Sequence, residues 1–198
     1  MQALIFDVDG TLADTEEAHR LAFNQAFAEA GLDWNWGQEL YTHLLTVTGG
    51  KARIRFYLEA YHPEFLKTDG INERIADLHK AKTKFYVAGV KAGQVPLRPG
   101  VEHLLGEARK EGLTLAIATT TTPVNLQSLI ENTLGSEALD WFDVIGAGDC
   151  VENLKPAADV YLWVLDRLKL NAEQCLAIED SANGLKSALA AGVPTLVT

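Results

Sequence analysis

The chain has 198 residues, 47% of them hydrophobic, enough for one core with a smaller insertion and too apolar for a disordered chain. Its formal net charge of −10 excludes nucleic acid and anionic membrane as main partners, because both repel an acidic surface. The acid is unevenly spread: residues 14–95 hold ten Lys/Arg against eleven Asp/Glu, and the rest of the chain holds seven against sixteen.

In chain order, the apolar run Ala3-Leu4-Ile5-Phe6 opens a strand over 3–8 and leads into Asp7-Val8-Asp9-Gly10-Thr11. Four more short apolar runs, 113–118, 142–147, 175–178 and 195–198, also read as strands. Most are continuous rather than alternating, as in parallel strands covered on both faces. Helical patterns separate them. Pro99-Gly100 opens one in which Val101, Leu104, Leu105 and Ala108 form an apolar stripe, and others run at about 124–134, 157–168 and 182–191. This βαβα alternation predicts a parallel sheet with helices on both faces. Roughly a hundred residues separate the first two strands, far more than one crossover helix needs. That stretch reads as helices over 16–30, 37–45, 50–61 and 71–88. The expected fold is therefore α/β: a Rossmann-like parallel-sheet core, 1–13 and 96–198, with an inserted α-helical cap domain over 14–95. Hinges are expected near Leu12–Thr15 and Lys91–Leu97. Cys150 and Cys175 lack the number and spacing of a disulfide framework or metal knuckle and read as core residues. No leader-like segment precedes the first strand and no run reaches membrane-spanning length. A soluble cytoplasmic protein is expected, or one of the plastid stroma in a plant or alga.

Ligands of open parallel sheets bind at the carboxyl ends of the strands, so those ends are read together. The first delivers Asp7 and Asp9, two carboxylates on one face of an extended chain, followed by Gly10, where the backbone can turn sharply. An Asp-Gly turn alone would explain the pentapeptide equally well. The second ends in Thr119-Thr120-Thr121-Thr122, suited to phosphate oxygens or to capping the next helix. The third leads to Asp149 and Asn153-Leu154-Lys155-Pro156, with Lys155 just before a Pro-initiated helix. The fourth ends Glu179-Asp180-Ser181, and two carboxylates directly after a buried strand are costly unless they meet a cation.

The ordered set Asp-x-Asp-Gly-Thr, Thr, Lys-Pro and Glu-Asp resembles the phosphatase branch of the haloacid dehalogenase-like hydrolases, over the full chain and including the place of the helical insertion. The resemblance implies that Asp7 is the nucleophile and Asp9 the general acid/base. It implies that Gly10, Thr119, Thr120 and Lys155 hold the transferring phosphate. It also implies Mg²⁺ as cofactor, bound by Asp7, the Asp9 carbonyl and Asp180, with Glu179 in or next to that shell. Elementary chemistry agrees: a carboxylate meets a phosphate dianion only where cations offset the repulsion. The Lys-Pro segment continues Ala157-Ala158-Asp159, where relatives often carry a second proline.

In the insertion Trp34, Trp36, Tyr41 and Thr48-Gly49-Gly50-Lys51-Ala52-Arg53-Ile54 stand out, with Lys51 and Arg53 suited to a second phosphate. His79, Lys80, Lys82 and Lys84 read as a solvated helix face. This pattern looks like the CbbY-type phosphatases, which remove the 1-phosphate of xylulose-1,5-bisphosphate. That resemblance implies that Glu16, His19, Tyr41, Gly50, Lys51 and Arg53 contact the sugar or its distal phosphate. The expected partner is a small-molecule sugar phosphate, with no nucleic acid and no membrane, bound by a monomer. A β-phosphoglucomutase-like phosphomutase shares the core motifs, and a non-enzymatic phospho-acceptor or binding module is the reading from another class.

Overall fold

The computed structural model describes residues 1–148 and 150–198; Asp149, noted above after the third strand, lies outside them. Five strands, β1 (Ala3–Phe6), β2 (Thr114–Ala118), β3 (Val144–Gly146), β4 (Cys175–Glu179) and β5 (Thr195–Val197), form one parallel sheet in the order β3-β2-β1-β4-β5. The Rossmann-like α/β expectation holds. β1 lies in the middle, with Phe6 opposite Ile117 on one side and Ile178 on the other. All four β1 residues are buried, as a strand covered on both faces requires.

The chain divides into two compact units, Met1–Thr15 with Val90–Thr198, and Glu16–Gly89. In the sheet unit, α7 (Asp159–Leu168) and α8 (Ala182–Ala190) cover one cluster of the core, where Val160, Tyr161, Val164 and Leu165 pack with Ala3, Ile5, Ala116 and Ala177. The other helices of this unit are α5 (Val101–Lys110) and α6 (Pro123–Thr133). The helical unit consists of α1 (Glu16–Glu29), α2 (Gln38–Leu44), α3 (Gly50–Tyr61) and most of α4 (Ile71–Lys91). Its core is aromatic: Phe23, Phe27, Trp34, Trp36, Tyr41 and Tyr57 are all buried together. Trp34 and Trp36 are thus core residues, which no apolar periodicity in the loop between α1 and α2 announces.

Two boundaries differ from the sequence expectation for definable reasons. β1 stops at Phe6 rather than residue 8 because the Val8 carbonyl accepts from the N–H groups of Thr11, Leu12 and Ala13, which curls the chain out of the ladder. The helix expected from 157 begins at Asp159; Lys155 and Pro156 lie in a turn closed by Ala157 N–H to Leu154 O, so Lys155 sits in a turn and not at a helix start. β5 also departs from the buried pattern, with Leu196 and Val197 about half exposed at the edge of the sheet. No helix among the described residues is long and apolar enough to cross a membrane.

Candidate active site

Asp7 follows β1 and Glu179 ends β4, the strand beside it, so the sheet order alone brings the first and fourth motifs to one edge. Asp7 remains tied to β4 through its N–H, which donates to the Ile178 carbonyl at 3.0 Å. Gly10 turns the loop with φ 84°, and a Cβ there would overlap the Asp180 carboxylate; only glycine permits both. The loop is fixed from behind by Arg98, whose guanidinium donates to the Gly10 carbonyl and whose N–H donates to Leu12 O at 2.8 Å.

Lys155 reaches this edge from the turn before α7. Its ammonium donates to Asp7 Oδ1 at 2.7 Å and to Glu179 Oε1 at 2.6 Å, with only 4% of the side chain exposed. Ser187 of α8 holds the turn by donating to Ala157 O at 2.5 Å. Asp7, Glu179 and Asp180 offer carboxylate oxygens within 4.8 Å of one another. The Thr11 hydroxyl lies 3.5 Å from Asp7 Oδ2 and 3.4 Å from Asp180 Oδ1.

The electrostatics of this cluster follow from burial. Burial pushes Asp7 above the ordinary carboxylate range, against the pull of Lys155. Glu179 is pushed up to about 7 by burial and by Asp7, while Lys155 and Tyr161 pull it back. Burial alone would lower the Lys155 ammonium, but Asp7 and Glu179 together hold it above its usual value. Three carboxylates against one ammonium leave a local excess of negative charge, and the donors are all oxygen. That set fits a small, hard divalent cation. Lys155 and Tyr161 both donate to Glu179 Oε1, while Oε2 has no hydrogen-bond partner among the described residues.

Asp9 lies near enough to Asp7 to raise its pKa further, and Thr15, fully buried, orients the Asp9 carboxylate by donating to its Oδ1 at 2.6 Å. Thr119 follows β2, the other neighbour of β1; its Oγ1 accepts from the Thr121 N–H at 3.2 Å, leaving the hydroxyl proton for another acceptor. Thr120 beside it is half-buried.

In the helical unit, Lys51 and Glu16 are exposed, whereas His19 and Tyr41 are buried. Arg53 is tied to its own unit: it donates to Leu44 O, Val47 O and the Tyr41 hydroxyl, each at 3.2 Å. Gly50 opens α3 without a side chain because the His79 ring occupies that space, 2.5 Å from where a Cβ would stand. The expectation of a solvated face at 79–84 is corrected in part. Lys82 is 5% exposed, flanked by the Phe23 and Tyr86 rings, and its ammonium lies 2.7 Å from His19 Nδ1. Since an ammonium only donates, Nδ1 accepts and the ring proton sits on Nε2. Positions 79, 82 and 86 share one face of α4, and Lys80 and Lys84 are the exposed ones. Burial, then Lys82, Lys51, His19 and Arg53, push His79 down to about 4.

Sequence reasoning gave no role to Thr15 or Tyr161 and placed His79 and Lys82 on a solvated face. A signal existed for Tyr161 alone: a phenol within the Val160, Val164, Leu165 stripe needs a buried acceptor.

A parallel sheet that gathers Asp-x-Asp, a buried lysine and an acidic pair at neighbouring strand ends defines a class of α/β hydrolases. The model of that class, haloacid dehalogenase-like hydrolase, matches residues 1–192. The chain belongs to this family, as a phosphatase of its CbbY group. It is 55% identical to the plasmid-borne protein CbbY of Cupriavidus necator over 198 residues, covering the whole chain and 78% of that protein. The crystal structure of CbbY from Rhodobacter sphaeroides in complex with phosphate superposes with a TM-score of 0.90 at 45% identity, covering 100% of this chain and 86% of that one. An Asp-to-Asn variant of the same protein, in complex with xylulose-(1,5)bisphosphate, also gives a TM-score of 0.90, at 44% identity and the same coverage.

Proposed function

We propose that this phosphatase hydrolyses a sugar bisphosphate, xylulose-1,5-bisphosphate, through an aspartyl-phosphate on Asp7. The observation that carries the reading is the Lys155 ammonium held between Asp7 and Glu179 with Asp180 alongside. Asp7 Oδ2, the oxygen not bonded to Lys155, attacks phosphorus, and Lys155 offsets charge on the phosphoryl oxygens. Asp9 gives its proton to the departing sugar oxygen; it then takes one from the water that releases phosphate from Asp7. Thr119, Thr120 and the turn at Gly10 hold the phosphoryl group. Asp7, Asp180 and the Asp9 carbonyl would hold Mg²⁺, which supplies positive charge against the phosphate dianion, with Glu179 beside them.

The substrate's second phosphate is met by the helical unit. Lys51, Arg53, Lys82 and His19 all lie near enough to His79 to depress its protonation, so this unit concentrates cationic and imidazole groups in an otherwise acidic protein. Glu16 and Tyr41 serve the sugar hydroxyls. The related CbbY variant in complex with xylulose-(1,5)bisphosphate supports the choice of substrate.

The test is phosphate release in Mg²⁺ from xylulose-1,5-bisphosphate and from a sugar monophosphate. Lys51→Ala is the variant to use, because Arg53 also holds α2 and its loop in place. One charge-assisted contact is worth about 1.5–3 kcal/mol, so kcat/KM for the bisphosphate should drop roughly tenfold or more, and that for the monophosphate much less. An unchanged ratio of the two rules the second-phosphate role out.

A further inference from the structure

Glu179 has none of its surface exposed, and two donors converge on one of its oxygens: Lys155 Nζ at 2.6 Å and the Tyr161 hydroxyl at 2.5 Å. Its other oxygen faces Gly184, where any Cβ would overlap the carboxylate. The group is therefore bonded at Oε1 and walled at Oε2. Tyr161 comes from the buried face of α7 and is itself fully buried. A phenol in a core is costly unless its O–H finds an acceptor, and here the acceptor is the side chain that also holds Lys155. Lys155 Nζ lies a further 5.4 Å from the centre of the Tyr161 ring, so one residue meets the lysine both directly and through Glu179.

The ammonium is shared almost equally, at 2.7 Å from Asp7 and 2.6 Å from Glu179. With Lys155 as its only donor, Glu179 would turn its full charge on the ammonium and draw it towards β4. The Tyr161 hydrogen bond engages part of that charge and fixes the plane of the carboxylate. We propose that Tyr161 is a positioning residue for catalysis: acting through Glu179, it sets how the Lys155 ammonium divides between Glu179 and Asp7. This rests on the reading of Lys155 as the group that meets the transferring phosphoryl.

Tyr161→Phe removes the hydroxyl and keeps the ring. In p-nitrophenyl phosphate hydrolysis with Mg²⁺, kcat per folded molecule should fall roughly tenfold while KM stays within about twofold, the pattern of an interaction realised in the transition state. Inhibition by orthovanadate, which presents the shape of a phosphoryl group in transfer, should weaken by a similar factor. A purely structural tyrosine would lower the melting temperature without moving either quantity. In a Glu179→Gln background the Tyr161→Phe effect should shrink to within about twofold, because the route through the carboxylate charge is gone. Wild-type kcat and vanadate inhibition in Tyr161→Phe overturn the proposal, as does an undiminished effect in the Glu179→Gln background. Lys155→Met separates it from its premise. If that variant keeps its turnover, the reading of Lys155 fails; if it is inactive while Tyr161→Phe is normal, only the role of Tyr161 fails.

Discussion

Lys155 Nζ stands 2.7 Å from Asp7 Oδ1, joining positions 148 residues apart in the chain. The contact is buried, so its loss leaves two carboxylates facing each other out of water. Lys155→Met should cost about 3–5 kcal/mol at neutral pH, as removal of one partner of a buried pair does. Asp7 and Glu179 already bind protons more readily than ordinary carboxylates, so the penalty should shrink as the pH falls and both are neutralised. Urea unfolding of wild type and variant at pH 8 and pH 5 checks this; an equal difference at both excludes the charge argument.

Turnover should vanish with EDTA and return with Mg²⁺. Asp180→Ala should shift the Mg²⁺ titration to much higher concentration, and Asp7→Asn should remove turnover at any concentration while the protein still melts cooperatively. An unaltered titration in Asp180→Ala would remove that residue from the metal site.

Thr15 and Asp9 should act together. Asp9→Asn should slow single-turnover cleavage of a sugar phosphate roughly 10²-fold or more, and that of p-nitrophenyl phosphate less, since p-nitrophenolate leaves with little need of a proton. Thr15→Val removes the 2.6 Å hydrogen bond that orients Asp9 and should reproduce a smaller version of the same leaving-group bias. Equal losses on both substrates would argue against the acid role.

His79 makes the helical unit sensitive to acid. Its folded pKa of about 4 lies below the unfolded value of 6.5, so its contribution to stability is complete above 6.5 and is lost as the pH falls towards 4. The full span is worth at most about 3 kcal/mol. Between pH 7 and pH 4.5, His79→Gln should lose less stability than the chain with His79, both carrying Trp141→Phe and Trp163→Phe so that Trp34 and Trp36 alone report the core of that unit.

Gly50→Ala should destabilise the helical unit, because a Cβ there meets the His79 ring. The measurement is the urea midpoint. A rise in stability, as the helix propensity of alanine alone would give, excludes the packing explanation.

The parallel strands and their order of chemistry were legible because buried strands leave continuous apolar runs and because Asp7, Thr119 and Asp180 stand directly after them. Lys80 and Lys84 are exposed as their pattern implies, whereas His79 and Lys82 were misread because the alternation of this group in sequence hides the 79, 82, 86 face that α4 presents to Phe23 and His19. Thr15 was invisible for another reason: its hydrogen bond to Asp9 depends on the Val8 carbonyl curling the chain, a tertiary arrangement with no local signature. Tyr161 carried a signal of its own, a phenol in an apolar stripe, which calls for a buried acceptor but does not say that the acceptor is Glu179.

β1 pairs with β4 across the centre of the sheet, so Asp7 acquires Glu179 and Asp180 as neighbours only when that pairing closes. Enzymatic activity is thereby a reporter of chain topology. During refolding it cannot appear before the β1–β4 ladder, the most sequence-distant pairing made by β1 and one whose loop-closure cost must be met first. Recovered turnover therefore times the closing of that ladder, while Trp34 and Trp36, once Trp141 and Trp163 of the sheet unit are replaced by Phe, time the helical unit, giving two clocks in one chain.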